Sequence, residues 1–151
     1  MFAHNRLTVA AVCLLLATPS AAQEARTERE YVQLPAMAAL NLPFSDAVRV
    51  GDTLYLSGNG GLDPATMSVP DDPREEARLM MENIAAVLAA EDMTLDDLVT
   101  VTIYCTDLSL YSDFNEVYRS FFDGPFPARA FIGSGPLLFG MRFEMQAIAV
   151  R

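Results

Sequence analysis

The sequence has 151 residues, a formal charge of −10, 52% hydrophobic and 20% charged residues. That length suits one domain with a core of its own, and the apolar share excludes a disordered chain. Ten Lys+Arg against 20 Asp+Glu exclude a general binder of phosphate backbones, because such a field repels polyanions.

Residues 1–22 have the layout of a secretory signal peptide. Arg6 stands in a start without acids, Leu7 to Pro19 is apolar, and Ser20-Ala21-Ala22 offers small residues before a cut. The apolar run is too short to span a bilayer, which needs about 20 residues. The expectation is a periplasmic or secreted protein, free of the membrane after cleavage. Cleavage would take His4, Arg6 and Cys13 with it, leaving a charge of −11 and a chain with no His and no Lys. Such a chain has no Ser-His-Asp or Cys-His pair, no ordinary zinc site and no Schiff-base lysine. Its chemistry rests on carboxylates, Arg, Tyr, hydroxyls, amides and backbone.

Residues 23–42 read as a tail and lead-in, and 43–151 as the domain. Ala47–Val50 and Thr53–Ser57 flank Gly51-Asp52 and predict a hairpin, ended by Gly58-Asn59-Gly60-Gly61. Asp72-Pro73 opens a helix running to about Glu91, with Ala77, Met80, Met81, Ile84 and Leu88 on one face. Leu98 to Thr106 alternates as a strand, with Val99, Val101, Ile103 and Cys105 on one side. Ser112 or Asp113 caps a second helix stopped by Gly124-Pro125, with Phe114, Val117, Tyr118 and Phe121 inward. Ala128 to Gly133 and Arg142 to Val150 are strands. The order β-β-α-β-α-β-β predicts an α+β sheet with two helices on one face. The other face then needs a partner, which points to an oligomer.

Two residues carry the most chemistry. Arg129, among apolar neighbours, is either structurally paired or poised for a carboxylate, which its planar fork binds through two oxygens. Glu144 is either a solvent-facing strand residue or a carboxylate able to position water and move a proton. If the last two strands pair as a hairpin centred between Leu137 and Leu138, the two side chains are diagonal neighbours on one face. A slip of one residue separates them. Asn115 is a capping residue or a ligand contact. Gly58 is a turn residue or a place of close approach. Cys105 reads as a buried thiol.

The ordered strings Pro43-Phe44-Ser45-Asp46-Ala47-Val48, Leu56-Ser57-Gly58-Asn59, Leu62-Asp63-Pro64-Ala65-Thr66, Glu82-Asn83-Ile84, Thr106-Asp107-Leu108, Phe114-Asn115-Glu116-Val117-Tyr118, Pro127-Ala128-Arg129 and Glu144 to Arg151 resemble the RidA/YjgF family of imine deaminases. The resemblance covers about Pro43 to Arg151. It implies a chorismate-mutase-like fold and a homotrimer with ligand sites in the clefts between subunits. It also implies hydrolysis of reactive 2-imino acids to 2-keto acids and ammonia without metal or organic cofactor. By motif position, Arg129 matches the arginine that binds the substrate carboxylate, and Glu144 the glutamate that orients or activates water. Ser57 and Gly58 match a ligand-contacting turn, and Asn115 a helix asparagine. The backbone N–H of Phe131 would help hold the carboxylate. Phe44 stands where relatives often carry Tyr, Asn59 where they carry Gln, Ala130 for Ser and Phe131 for Cys. The competing class is a non-catalytic trimeric module that binds small carboxylates. A ribonuclease is disfavoured by the charge.

Overall fold

A computed structural model describes residues 28–151. The expected signal peptide, residues 1–22, lies outside the described residues. Six strands and three helices follow in the order β1 (Arg29–Val32), α1 (Pro35–Ala38), β2 (Ala47–Val50), β3 (Thr53–Gly60), α2 (Pro73–Ala89), β4 (Leu98–Cys105), α3 (Tyr111–Arg119), β5 (Ala128–Gly133) and β6 (Phe143–Val150). The α+β class and the element order from Ala47 onward are as expected. The segment read as a lead-in supplies β1, which pairs with β2 at one edge of the sheet.

Local signals set most boundaries. Gly51, at φ 61°, turns the β2–β3 hairpin with Val50 opposite Thr53; only glycine takes that conformation without steric cost. The Asp72 side chain caps α2 by accepting from the Arg74 N–H at 2.9 Å, and Pro73 follows. The apolar face of α2 is buried as its spacing predicts, and Val87 joins it. Helix α3 begins at Tyr111 rather than at a Ser112 or Asp113 cap. A short 3-10 turn, Leu108–Leu110, capped by the Asp107 side chain on the Ser109 N–H, runs directly into it. It ends at Arg119, well before Gly124, where the Ser120 hydroxyl bonds back to the Val117 carbonyl at 2.6 Å.

The sheet order β1-β2-β3-β6-β4-β5 corrects the expected final hairpin. Strand β6 does not pair with β5. It inserts between β3 and β4, antiparallel to both, while β5 lies parallel to β4 at the far edge. The connecting loop turns around the end of β4. The Ser134 N–H bonds the Cys105 carbonyl at 2.8 Å, and the Thr106 N–H bonds the Arg142 carbonyl at 3.0 Å. Two parallel strands need a crossover, and α3 supplies it between β4 and β5. One expected strand face also shifts. Val99 is exposed while Leu98 and Val101 are buried, because the register slips between Leu98 and Thr100.

The core lies between α2, α3 and one sheet face. Leu54, Val101, Ile103, Phe143 and Met145 meet Met80, Ile84 and Phe114 there. The other face carries no helix among the described residues. Tyr31, Val48, Tyr55 and Ile148 form one row across it by strand register, with Tyr31 and Tyr55 exposed. Two carboxylates, Asp46 and Glu76, are buried among the described residues, and Glu76 completely. Glu76, in the first turn of α2, accepts from the backbone N–H groups of Arg142 (2.6 Å) and Phe143 (3.1 Å) and from Arg142 Nε (2.6 Å). Three charge-assisted donors compensate its burial and fix the start of β6 against α2.

Candidate functional site

The expected site residues fall into two groups on opposite faces of the sheet. Arg129 is in register with Val101 of β4, itself opposite Ala147 of β6; both partners are buried on the helix-covered face. Glu144 is opposite Tyr104 and Gly60. Ala147 and Glu144 are three residues apart, so their side chains leave the strand on opposite faces, with roughly 10 Å of strand between their rows. The expectation of diagonal neighbours fails within one chain, because β4 stands between β5 and β6.

Around Arg129 the surroundings are aromatic. Its Nη2 donates to Asn115 Oδ1 at 2.7 Å, and its guanidinium carbon sits 4.7 Å from the Tyr118 ring centroid, with Phe131 and Tyr111 at 5.8 and 5.9 Å. Phe131 packs edge-on against Tyr111 and Phe114. Its side chain therefore belongs to the wall that supports Arg129. No carboxylate pairs with Arg129 among the described residues. Ring faces and one amide hold the cation in place without neutralising it, so it can accept an anion. Asn115, Tyr118, Arg119, Phe126, Pro127 and Arg129 enclose a cavity of about 130 Å³. The neighbouring Asn115 side chain, then the Arg129 charge, hold the Tyr111 hydroxyl below the usual phenol range. Burial pushes the Tyr118 hydroxyl up, against the Arg129 charge.

The Glu144 group is built differently. The register of β3 on β6 shifts between Leu56 and Asn59, so Ser57 and Gly58 lie in a bulge rather than in a terminal turn. A Cβ on Gly58 would stand 2.2 Å from Glu144 Oε1. The glycine therefore makes room for the carboxylate itself. Ser57 is committed elsewhere: its hydroxyl donates to the Ser45 carbonyl at 2.6 Å, fastening the chain beside Phe44. Among the described residues, Glu144 receives no hydrogen bond from a side chain and forms no ion pair. It opens with Phe44, Ser57 and Gly58 onto a cavity of about 460 Å³.

Thus Phe44, Ser57, Gly58 and Glu144 come together on one side, and Asn115, Phe131 and Arg129 on the other. Tyr111 and Tyr118 were not singled out as parts of the site from the sequence, although positions 111, 115 and 118 share a helix face. Cys105 is buried, as expected. Its thiol donates to the Asp107 carbonyl at 3.1 Å, and burial pushes its pKa up.

Fold and site define an α+β protein of chorismate-mutase-like architecture, with an unneutralised arginine and an unpaired glutamate on separate faces. Residues 35–151 match the family model described as Endoribonuclease L-PSP, and the chain belongs to that family, which is the RidA/YjgF family. It is 37% identical over 110 residues to the mouse 2-iminobutanoate/2-iminopropanoate deaminase, covering 72% of this chain and 82% of that protein. Two solved structures are similar. RidA from the Antarctic bacterium Psychrobacter sp. PAMC 21119 is 35% identical, with a TM-score of 0.71 over 73% of this chain and 89% of the other. Escherichia coli TdcF with bound serine is 33% identical, with the same TM-score and the same coverage of each chain.

Proposed function

We propose that the protein hydrolyses 2-imino acids in a site assembled between copies of the chain. The observation that carries this reading is the separation of Arg129 and Glu144. Each has the surroundings its task needs, and one chain cannot bring both to one small molecule. A neighbouring copy seated on the open sheet face supplies the missing half, in a ring of three whose contacts are all alike.

The chemistry follows from the groups. Arg129, held by Asn115, takes the substrate carboxylate, with the Phe131 N–H as a further donor. That anchor places the imine carbon beside Glu144 of the adjoining copy. Glu144 accepts a proton from water as the water oxygen bonds to that carbon. That proton passes to nitrogen to give a carbinolamine. A second proton then moves from its hydroxyl to nitrogen as the carbonyl forms and the C–N bond breaks, and the products are a 2-keto acid and ammonia. Water is the only co-reactant, and orientation supplies much of the rate. The bound serine of TdcF and the name of the mouse relative support a small α-carboxylate as ligand. The signal-peptide layout of residues 1–22 supports action outside the cytoplasm.

The test mixes two impaired variants, assayed at imine concentrations well below KM so that the loss in Arg129→Ala is seen. Arg129→Ala and Glu144→Gln are each combined with 2-iminobutanoate, generated in place by an amino-acid oxidase. They are then unfolded together and refolded as a mixture. In a ring of shared sites, about a quarter of the sites in an equal mixture have both native halves, and activity returns to that extent. A mixture as inactive as its components overturns the shared site. A wild-type protein that does not accelerate imine decay overturns the deaminase reading, and retained binding of 2-ketobutyrate would then point to a carboxylate-binding module.

A further inference from the structure

The cavity beside Glu144 is larger than the reaction needs. Hydrolysis requires room for the imine carbon and one water, and a water takes about 30 Å³ in the liquid. The cavity holds about 460 Å³, within the range of roughly 300–1,000 Å³ typical of sites for whole small molecules. Most of its wall is apolar, with Leu34, Met37, Phe44, Met67, Leu138 and Phe139 among the lining residues. Phe44, Leu138 and Phe139 are exposed large apolar side chains, with Leu138 at 72% and Phe139 at 62%. Backbone geometry helps to hold two of these residues. Met67 and Phe139 sit at positive φ, 55° and 57°, a costly conformation for side chains of that size. The Met67 N–H bonds the Asp63 carbonyl at 2.7 Å, which closes the loop that presents it. The buried carboxylate at this wall, Asp46, is already engaged by the Leu34 N–H at 2.6 Å, which leaves Glu144 as the free acid facing the space.

From this geometry we infer that the protein prefers 2-imino acids with large apolar side chains, of the branched aliphatic, thioether or aromatic kind, over those with a methyl or ethyl group. The inference rests on the deaminase reading and names its substrate class. The substrate's carboxylate goes to Arg129 and its imine carbon to Glu144, while its side chain lies along the Phe44–Met67–Phe139 wall. Each added buried methylene is worth about a fourfold gain in a well-fitted apolar pocket.

The experiment uses the full chain and a set of imino acids made in place by an amino-acid oxidase from alanine, 2-aminobutyrate, leucine, methionine and phenylalanine. The expected result is a kcat/KM about tenfold or more higher for the leucine-derived imine than for the alanine-derived one. Ala86, exposed on α2 and lining the same cavity, offers a second handle. Ala86→Phe fills part of the space and should lower that ratio at least about fivefold. A flat or falling series, with the small imines still hydrolysed, overturns the size preference and leaves the deaminase reading intact. A preference for the large imines that Ala86→Phe does not reduce also overturns it, because the cavity is then not its origin. Hydrolysis of none of them overturns the deaminase reading, and calorimetry with pyruvate and 4-methyl-2-oxopentanoate then decides about the cavity. Equal affinities overturn the side-chain pocket, and tighter binding of the larger acid supports it.

Discussion

Arg129 and Glu144 differ in every respect that matters for their chemistry. Arg129 is fastened on the helix-covered face of an edge strand, with an amide on one nitrogen and three aromatic rings around it. Glu144 projects from the opposite face of an interior strand, without an ion pair among the described residues, beside a glycine that leaves it room. An anchor benefits from being fixed before the ligand arrives, since less order is lost on binding. A proton acceptor must instead reach a water whose place is set by the substrate. Under the proposed function the two halves suit rigid holding and proton transfer respectively.

The largest expected effect splits the two roles kinetically. Glu144→Gln keeps shape and removes the base, so kcat falls about 10²–10⁴-fold with KM little changed. Arg129→Ala removes a charge-assisted anchor, and its effect of about 10²-fold appears mainly as a higher KM. Steady-state kinetics on one imine with both variants checks this. If both variants lose only kcat, the division into anchor and base is wrong.

Gly58 offers an intermediate effect. In Gly58→Ala the new Cβ lies where Glu144 Oε1 now sits, and the carboxylate must swing away. We expect kcat to drop about tenfold, since misplacement of a reacting group by an ångström costs up to about 10²-fold. Position 58 is exposed and does not have positive φ, so the melting temperature should move little. A variant that melts normally and turns over normally would show that Glu144 need not occupy its present place.

How much of this could be read from the sequence depends on the range of the interaction. Capping by Asp72, the Gly51-Asp52 hairpin and the buried stripe of α2 follow from neighbours within a few residues, and they were legible. The partner of β6 was not, because two strands joined by a short Gly/Pro loop look like a hairpin whether or not a third strand lies between them. The same long range hid Glu76. It sits among acids at a helix start and reads as a surface residue favoured by the helix dipole. Its donors, at Arg142 and Phe143, are more than sixty positions away. Arg129 and Glu144 were legible as individual residues, since their types and strings are distinctive. Their separation onto two faces was not, since face depends on register.

The smallest effect is a titration, and it probes the anchor side alone. Asn115 and the Arg129 charge favour the Tyr111 phenolate and hold its pKa below the usual value. Removing either support favours the neutral phenol, so Asn115→Ala and Arg129→Ala should each move the Tyr111 titration upward. Glu144→Gln removes a negative charge and should not move it upward. A bound carboxylate offsets the Arg129 charge and should also raise the Tyr111 pKa. By linkage, carboxylate binding then takes up protons, and affinity weakens as pH rises through the titration of the free protein. Ring-labelled tyrosine followed by NMR across alkaline pH, with and without 2-ketobutyrate, reads all four cases. An upward shift in Glu144→Gln equal to that in Arg129→Ala would break the assignment of the Tyr111 titration to the Arg129 charge, because loss of a negative charge cannot by itself favour the neutral phenol.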